Sequence, residues 1–168
     1  MKKNIVFLIA TLAIIQCQGQ RGLSLSYSTN NAFGIDVFAR EGNNRLHFGY
    51  THQFNGQEEG NIKTRQTDYD GITETGNGKY FWTVDFGYSR IFFNHMAVHT
   101  ELNIGASKKF TNYKDDRDYI DDYSLITCRN LAVGIGLKLG YSFNFGFEPF
   151  VGINSLKKVD FGARFFWQ

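Results

Sequence analysis

Val159-Asp160-Phe161-Gly162-Ala163-Arg164-Phe165-Phe166-Trp167, near the C-terminus, alternates in a way that decides the fold. Successive side chains of a strand point to opposite faces. Val159, Phe161, Ala163, Phe165 and Trp167 therefore form one surface, and Asp160, Gly162, Arg164 and Phe166 the other. One surface is apolar and aromatic, while the other carries charge and a glycine. Such a strand belongs to a sheet that separates two different media.

Working back from it, the same alternation recurs in seven earlier segments. Gly22–Ser28 sets Leu23, Leu25 and Tyr27 against serines, and Phe33–Arg40 sets Phe33, Ile35, Val37 and Ala39 against Gly34, Asp36, Phe38 and Arg40. Arg45–Phe54 opposes Leu46, Phe48, Tyr50 and Phe54 to Arg45, His47, Gly49, Thr51 and Gln53. In the segment beginning at Tyr80, Tyr80, Trp82, Val84, Phe86 and Tyr88 alternate with Phe81, Thr83, Asp85, Gly87 and Ser89. Ala97–Ser107 sets Val98, Leu102, Ile104 and Ala106 against His99, Glu101, Asn103 and Gly105. From Leu131 to Phe147 every odd position is apolar, which is too long for one membrane strand of about 10 residues. A turn at Asn144–Gly146 divides the run into Leu131–Phe143, with an extension back toward Thr127, and Phe147–Asn154. Pro149 then falls near a strand start, where its missing N–H is tolerated. Short turns link most segments, and two polar loops, 55–79 and 108–124, are long.

The amino end reads differently. Lys2 and Lys3 precede the apolar run Ile5–Ile15, and Cys17 and Gly19 stand as the small residues of a cleavage site. This pattern predicts a secretory signal peptide over residues 1–19 and a mature domain over 20–168. Lipid attachment at Cys17 is the alternative, but Gln16 stands where such signals want a small residue. Removal of the peptide leaves Cys128 without a partner for an internal disulfide. The net charge of +2, with both signs interspersed, argues against a nucleic-acid partner.

Which face meets which medium follows from the charges. The polar parity pools Arg40, Arg45, Lys138, Lys158 and Arg164 with Asp36, Asp85, Glu101, Glu148 and Asp160, diluted with glycines such as Gly49, Gly87, Gly105 and Gly136. Glycines at that density relieve crowding inside a narrow lumen, whereas on a solvated outer face they would only weaken the strands. The ten charged residues are therefore expected to form a buried ion-pair network. The other face carries almost no charge, as lipid contact demands. Tyr80, Trp82, Tyr88, Tyr141 and Trp167 would sit at the membrane interfaces. The expected fold is all-β, an eight-stranded antiparallel transmembrane up-and-down β-barrel. A secreted lipocalin-like barrel, with an apolar interior for a ligand, is the alternative.

Asp160, Gly162, Phe165 and Trp167 resemble the terminal signal by which outer-membrane barrels are recognised for assembly, departing from it only in ending on Gln168. Over its whole mature length the chain resembles the small eight-stranded outer-membrane barrels of the OmpA-transmembrane and OmpX type. The resemblance implies the outer membrane of a Gram-negative bacterium, with outer-membrane lipid and the barrel assembly machinery as partners. Both termini would be periplasmic and the long loops extracellular, where an unidentified ligand could bind. It implies a structural or surface-interaction scaffold; a small-solute channel or a lipid-modifying enzyme at the rim is the alternative. Lipid A deacylases carry His and Ser two apart on one strand, but here Gly49, Phe54, Ala97 and Glu101 follow the four histidines by two. No catalytic, cofactor or metal residues are therefore expected. His47 and His99 share the inward parity and are read as members of the lumen hydrogen-bond network. The acidic stretch 114–122 lacks the spaced carboxylates and central glycine of a calcium loop and reads as a solvated loop.

Overall fold

The computed structural model describes residues 19–54, 58, 60–66, 71–93, 95–117 and 121–167; the expected signal peptide lies outside these apart from Gly19. Nine strands occur among them: β1 Gln20–Ser28, β2 Ala32–Glu41, β3 Asn44–Gln53, β4 Asn61–Lys63, β5 Ile72–Phe92, β6 Met96–Asp115, β7 Tyr123–Tyr141, β8 Phe147–Asn154 and β9 Lys158–Trp167. All but β4 are joined antiparallel in the order β7-β6-β5-β3-β2-β1-β9-β8, and β8 returns to β7. The ring of eight is closed. The strand quoted first pairs with both β1 and β8, Arg164 lying opposite Ser24 on one side and Glu148 on the other.

Alternation sets the two surfaces. Ile35, Tyr50, Phe86, Leu102, Ile104, Leu137, Leu139, Val151, Ile153 and Phe161 are exposed on the outer face, whereas Asp36, Asp85, Glu101, Lys138, Glu148, Asp160 and Arg164 are at most 4% exposed inside. A water-soluble ligand-binding barrel would have this arrangement reversed. The outer face offers lipid the apolar band it requires. Aromatic groups collect toward both ends of that band. Phe143, Phe145 and Phe147 stack at the end with short turns, and Tyr27 meets Phe161 while Tyr50 stacks on Trp82 at the other. Tyr88, Tyr141 and Trp167 are exposed on the outer surface. Tyr80, expected beside them, is buried instead against Phe110 and Ile126.

That burial follows from a departure in strand length. Two segments read as loop, 72–79 and 108–115, are strand: β5 and β6 stay paired from Phe92↔Met96 to Ile72↔Asp115. β7 likewise begins at Tyr123, with a register shift opposite Lys109 and Phe110. A three-strand ribbon thus continues past the barrel and covers Tyr80. β4 pairs parallel to β7 over Tyr123–Leu125. On the other side of the ring, β1–β2 and β8–β9 close in tight turns at 29–31 and 155–157, so one wall of the barrel is tall and the opposite wall low.

The wall is thinnest between β7 and β8. They pair only from Gly136↔Asn154 to Gly140↔Phe150. One residue further along, the Ser155 N–H donates to the Ile135 carbonyl at 2.9 Å and the Ile135 N–H donates to Ser155 Oγ at 3.0 Å. Between Ile135 and the short β4 pairing, that edge of β7 has no strand partner among the described residues.

Candidate functional site

The chemistry of this chain is concentrated inside the ring. Inward side chains on neighbouring strands must share a lumen that eight strands make only wide enough for side chains, and glycines open the space they need. A Cβ at Gly49 would stand 1.8 Å from Asp36 Oδ1, and one at Gly87 1.9 Å from His47 Nε2.

Toward the short-turn end, Glu148 from β8 gathers three partners. Arg45 Nη1 lies 2.5 Å from Oε2, while Arg164 Nη1 and His99 Nε2 each lie 3.1 Å from Oε1. Both guanidinium groups are sandwiched by rings: Arg45 stands 5.6 Å from the Phe38 centroid and 5.3 Å from that of Phe166, and Arg164 4.9 Å from that of Phe150. The weak hydration and planar face of guanidinium suit this stacking.

Toward the loop end a second cluster interlocks six strands and a turn. Lys138 lies 2.6 Å from Glu101 and 2.7 Å from Asp160. Lys157 lies 2.9 Å from Asp85 and 2.7 Å from Glu101. Neutral donors add hydrogen bonds to two of the carboxylates: Thr51 donates to Asp85 at 2.5 Å, Thr83 to Asp85 at 2.7 Å, and Asn103 to both Asp85 and Glu101 at 2.6 and 2.7 Å. Asn154 ties in through Asn103 Oδ1 at 2.7 Å. Buried charges of both signs persist when paired and hydrogen-bonded in this way.

Of the ten charged residues expected here, the ion pairs bring together Arg45, Asp85, Glu101, Lys138, Glu148, Asp160 and Arg164. Asp36 is buried, its carboxylate over Gly49, with no ion pair among the described residues. Arg40 is at the rim, donating to the Gly42 carbonyl at 2.8 Å and to Gln20 at 3.1 Å. Lys158 is a correction: it is exposed, and its neighbour Lys157 enters the lumen. Lys158 has φ 64°, and this left-handed residue at the strand start breaks the alternation that parity assumes. Asn154 Oδ1 meanwhile accepts the Leu156 and Lys157 amides at 2.8 and 3.1 Å, folding the turn inward.

His47 and His99 both point inward, but only His99 is embedded in hydrogen bonds. Ser89 Oγ is 2.5 Å from His99 Nδ1, whose ring also contacts Arg164 and, through Nε2, Glu148. Serine, histidine and carboxylate in this order match the connectivity of an acyl-transfer triad. Ser89, His99 and Glu148 are nevertheless wholly buried, and an arginine occupies the same imidazole. No substrate carbonyl can approach Ser89 in this packing, so the arrangement acts as a structural network. It joins β5, β6, β8 and β9, separations in sequence that a search for His and Ser two apart does not sample.

At the loop end, Tyr113 stacks on Tyr123, and Lys63 from β4 stands 3.9 Å above the Tyr123 ring. Lys108 and the Tyr80 hydroxyl converge on Glu58 at 3.6 and 2.7 Å. Arg117 beside Asp115, at 2.6 Å, holds that carboxyl below its ordinary range. Part of the acidic stretch 114–122 lies outside the described residues, and among those described no group of residues is arranged to hold a metal ion.

No protein-family model and no curated relative matches the sequence. Among solved structures the chain is similar to Ail, the attachment invasion locus protein of Yersinia pestis, at 11% identity over 89% of this chain and 96% of that one, with a TM-score of 0.48. It is also similar to Neisserial surface protein A, at 11% identity over 87% and 94%, TM-score 0.47. The closed antiparallel ring, the paired charges inside it and the uncharged apolar band outside it make this chain an eight-stranded transmembrane β-barrel.

Proposed function

We propose that this barrel is a surface-interaction scaffold, anchored in outer-membrane lipid after delivery by the barrel assembly machinery, and that its lumen carries no solute. The observation that supports this most is the pairing of β5 with β6 beyond the barrel, from Lys79↔Lys109 to Ile72↔Asp115, while the opposite wall ends in tight turns. A pore gains nothing from a rigid ribbon raised on one side. A binding surface does, because ordering the recognition element in advance removes part of the entropic cost of association. The partner would contact the segments 55–79 and 108–124, the second of which carries the Tyr113–Tyr123 stack and the Asp115–Arg117 pair at the outer end of the ribbon. The interior supports the scaffold reading as well, since the paired charges fill the space that a conducting lumen would leave to water.

Trimming the ribbon by deleting residues 55–79 and 108–129, with a two-residue Asn-Gly turn joining Phe54 to Tyr80 and another joining Ser107 to Asn130, tests the proposal. Cells displaying the trimmed barrel should lose adhesion to immobilised extracellular proteins while surface abundance is unchanged. Equal adhesion by trimmed and full-length barrels would remove the ribbon as the binding element.

A further inference from the structure

Beside the gap between β7 and β8 lies a cavity of about 330 Å³ at the loop end of the lumen, lined by Phe81, Ser107, Leu131, Ala132, Val133 and Leu156 among others. Three consecutive residues of one strand line it. Their side chains alternate between faces, so a cavity touching Leu131, Ala132 and Val133 must wrap around the edge of β7 and reach both lumen and exterior. Leu131 and Val133 are exposed on the outer face, whereas Ala132 and Phe81 are buried inside and pack with Leu156.

The depth of the gap identifies what lies outside it. The outward apolar row of β7 runs from Leu131 to Tyr141, ten steps of about 3.3 Å. At a strand tilt of about 40° this spans roughly 25 Å, the height of the apolar band of a membrane barrel. The unpaired stretch next to Leu131 and Val133 thus opens within hydrocarbon. Because Ile135 directs its N–H and carbonyl toward Ser155, the backbone groups of Val133 and Leu131, two and four residues earlier, point into the gap as well. Open backbone edges are not tolerated in hydrocarbon, so an occupant must offer both apolar length and hydrogen-bonding groups. Asn30, Gln53 and Lys79 line the same cavity at its polar end.

We infer that the opening between β7 and β8 admits the acyl chain of a lipid from the surrounding bilayer, with the lipid's ester or amide groups on the free edge of β7 and its head near Lys79. The occupant enters sideways from the membrane, and the inference is independent of what the ribbon binds.

The unmodified protein, reconstituted in vesicles containing a phosphatidylethanolamine with a diazirine near its acyl terminus, is photolysed and its adducts are mapped by mass spectrometry. Adducts on the lumen-facing residues Phe81, Ser107 or Ala132 are expected beside those on outward residues such as Val84. Adducts confined to outward residues would overturn the inference. Ala132→Phe, which fills the cavity, should abolish the lumen-side adducts while retaining the unboiled gel mobility of the folded barrel; Leu156→Trp serves the same end should the first variant fail to fold. Lumen-side adducts persisting in either folded variant would overturn it equally.

Discussion

Lys157 reaches Glu101 at 2.7 Å from a turn on the opposite wall of the barrel. The contact joins residues 56 apart in sequence and bolts the β8–β9 turn over the lumen, where Lys157 also meets Asp85. Lys157→Ala leaves Asp85 without a cation, although Thr51, Thr83 and Asn103 still donate to it. The expected loss is near the lower end of the roughly 3 to 5 kcal/mol for breaking a buried pair. Lys158→Ala, one residue along and exposed, should change stability by less than about 0.5 kcal/mol. Urea unfolding of the two variants in lipid vesicles measures both. Equal effects would mean that the turn does not enter the lumen.

Arg164 is held by Glu148 at 3.1 Å and lies over the Phe150 ring. Arg164→Ala removes a buried cation shared with His99 and should cost about 3 to 5 kcal/mol, more than any single substitution in the loops. The same unfolding assay reads the difference. Arg164→Lys should recover only part of it, because an ammonium keeps the charge but loses the planar stacking.

The alternation of Val159–Trp167 made the two faces legible from sequence, because burial inside and lipid outside impose the same period of two on every crossing strand. The limits of that signal are equally physical. Beyond the membrane both faces of a strand meet water, so Ile72–Lys79 and Lys108–Asp115 carry Thr, Asn, Lys and Glu on either side and read as loop although they are paired. The register shift opposite Phe110 hides the start of β7 for a related reason. Lys157 escaped because parity counts residues and does not see the left-handed φ of Lys158. An Asn-Ser-Leu-Lys turn, with an Asx-type side chain able to cap the next amides, was the available hint. The Ser89–His99–Glu148 contacts depend on ring closure, which brings β8 beside β7 without any local sign in the chain.

Val84 faces outward between Tyr50 and Ile104, near the middle of the apolar band. Val84→Arg should cost about 2 to 4 kcal/mol of membrane folding, whereas Asp85→Ser, on the inner face, should still insert. Folding yield in vesicles, read by gel mobility without boiling, separates the two. Normal insertion of Val84→Arg would invert the assignment of faces.

Phe165 pairs with Leu23 and Phe147, and Trp167 with Arg21, at the seam where β9 closes the ring. Both aromatics belong to the pattern that resembles an assembly signal. Phe165→Ser with Trp167→Ser should lower the amount of protein assembled in the outer membrane while export is unchanged, as measured by fractionation of cells. Equal assembly would detach this strand from any role in recognition.

The central claim is that charges of both signs, paired across the lumen, close it. Conductance of the purified, unmodified protein in planar bilayers tests this most directly. A closed lumen gives no steady current, with at most brief openings that become frequent in Lys157→Ala or Arg164→Ala. A steady ohmic conductance from the unmodified barrel, insensitive to changes at Arg164, Lys138, Glu101 or Asp160, would contradict the account.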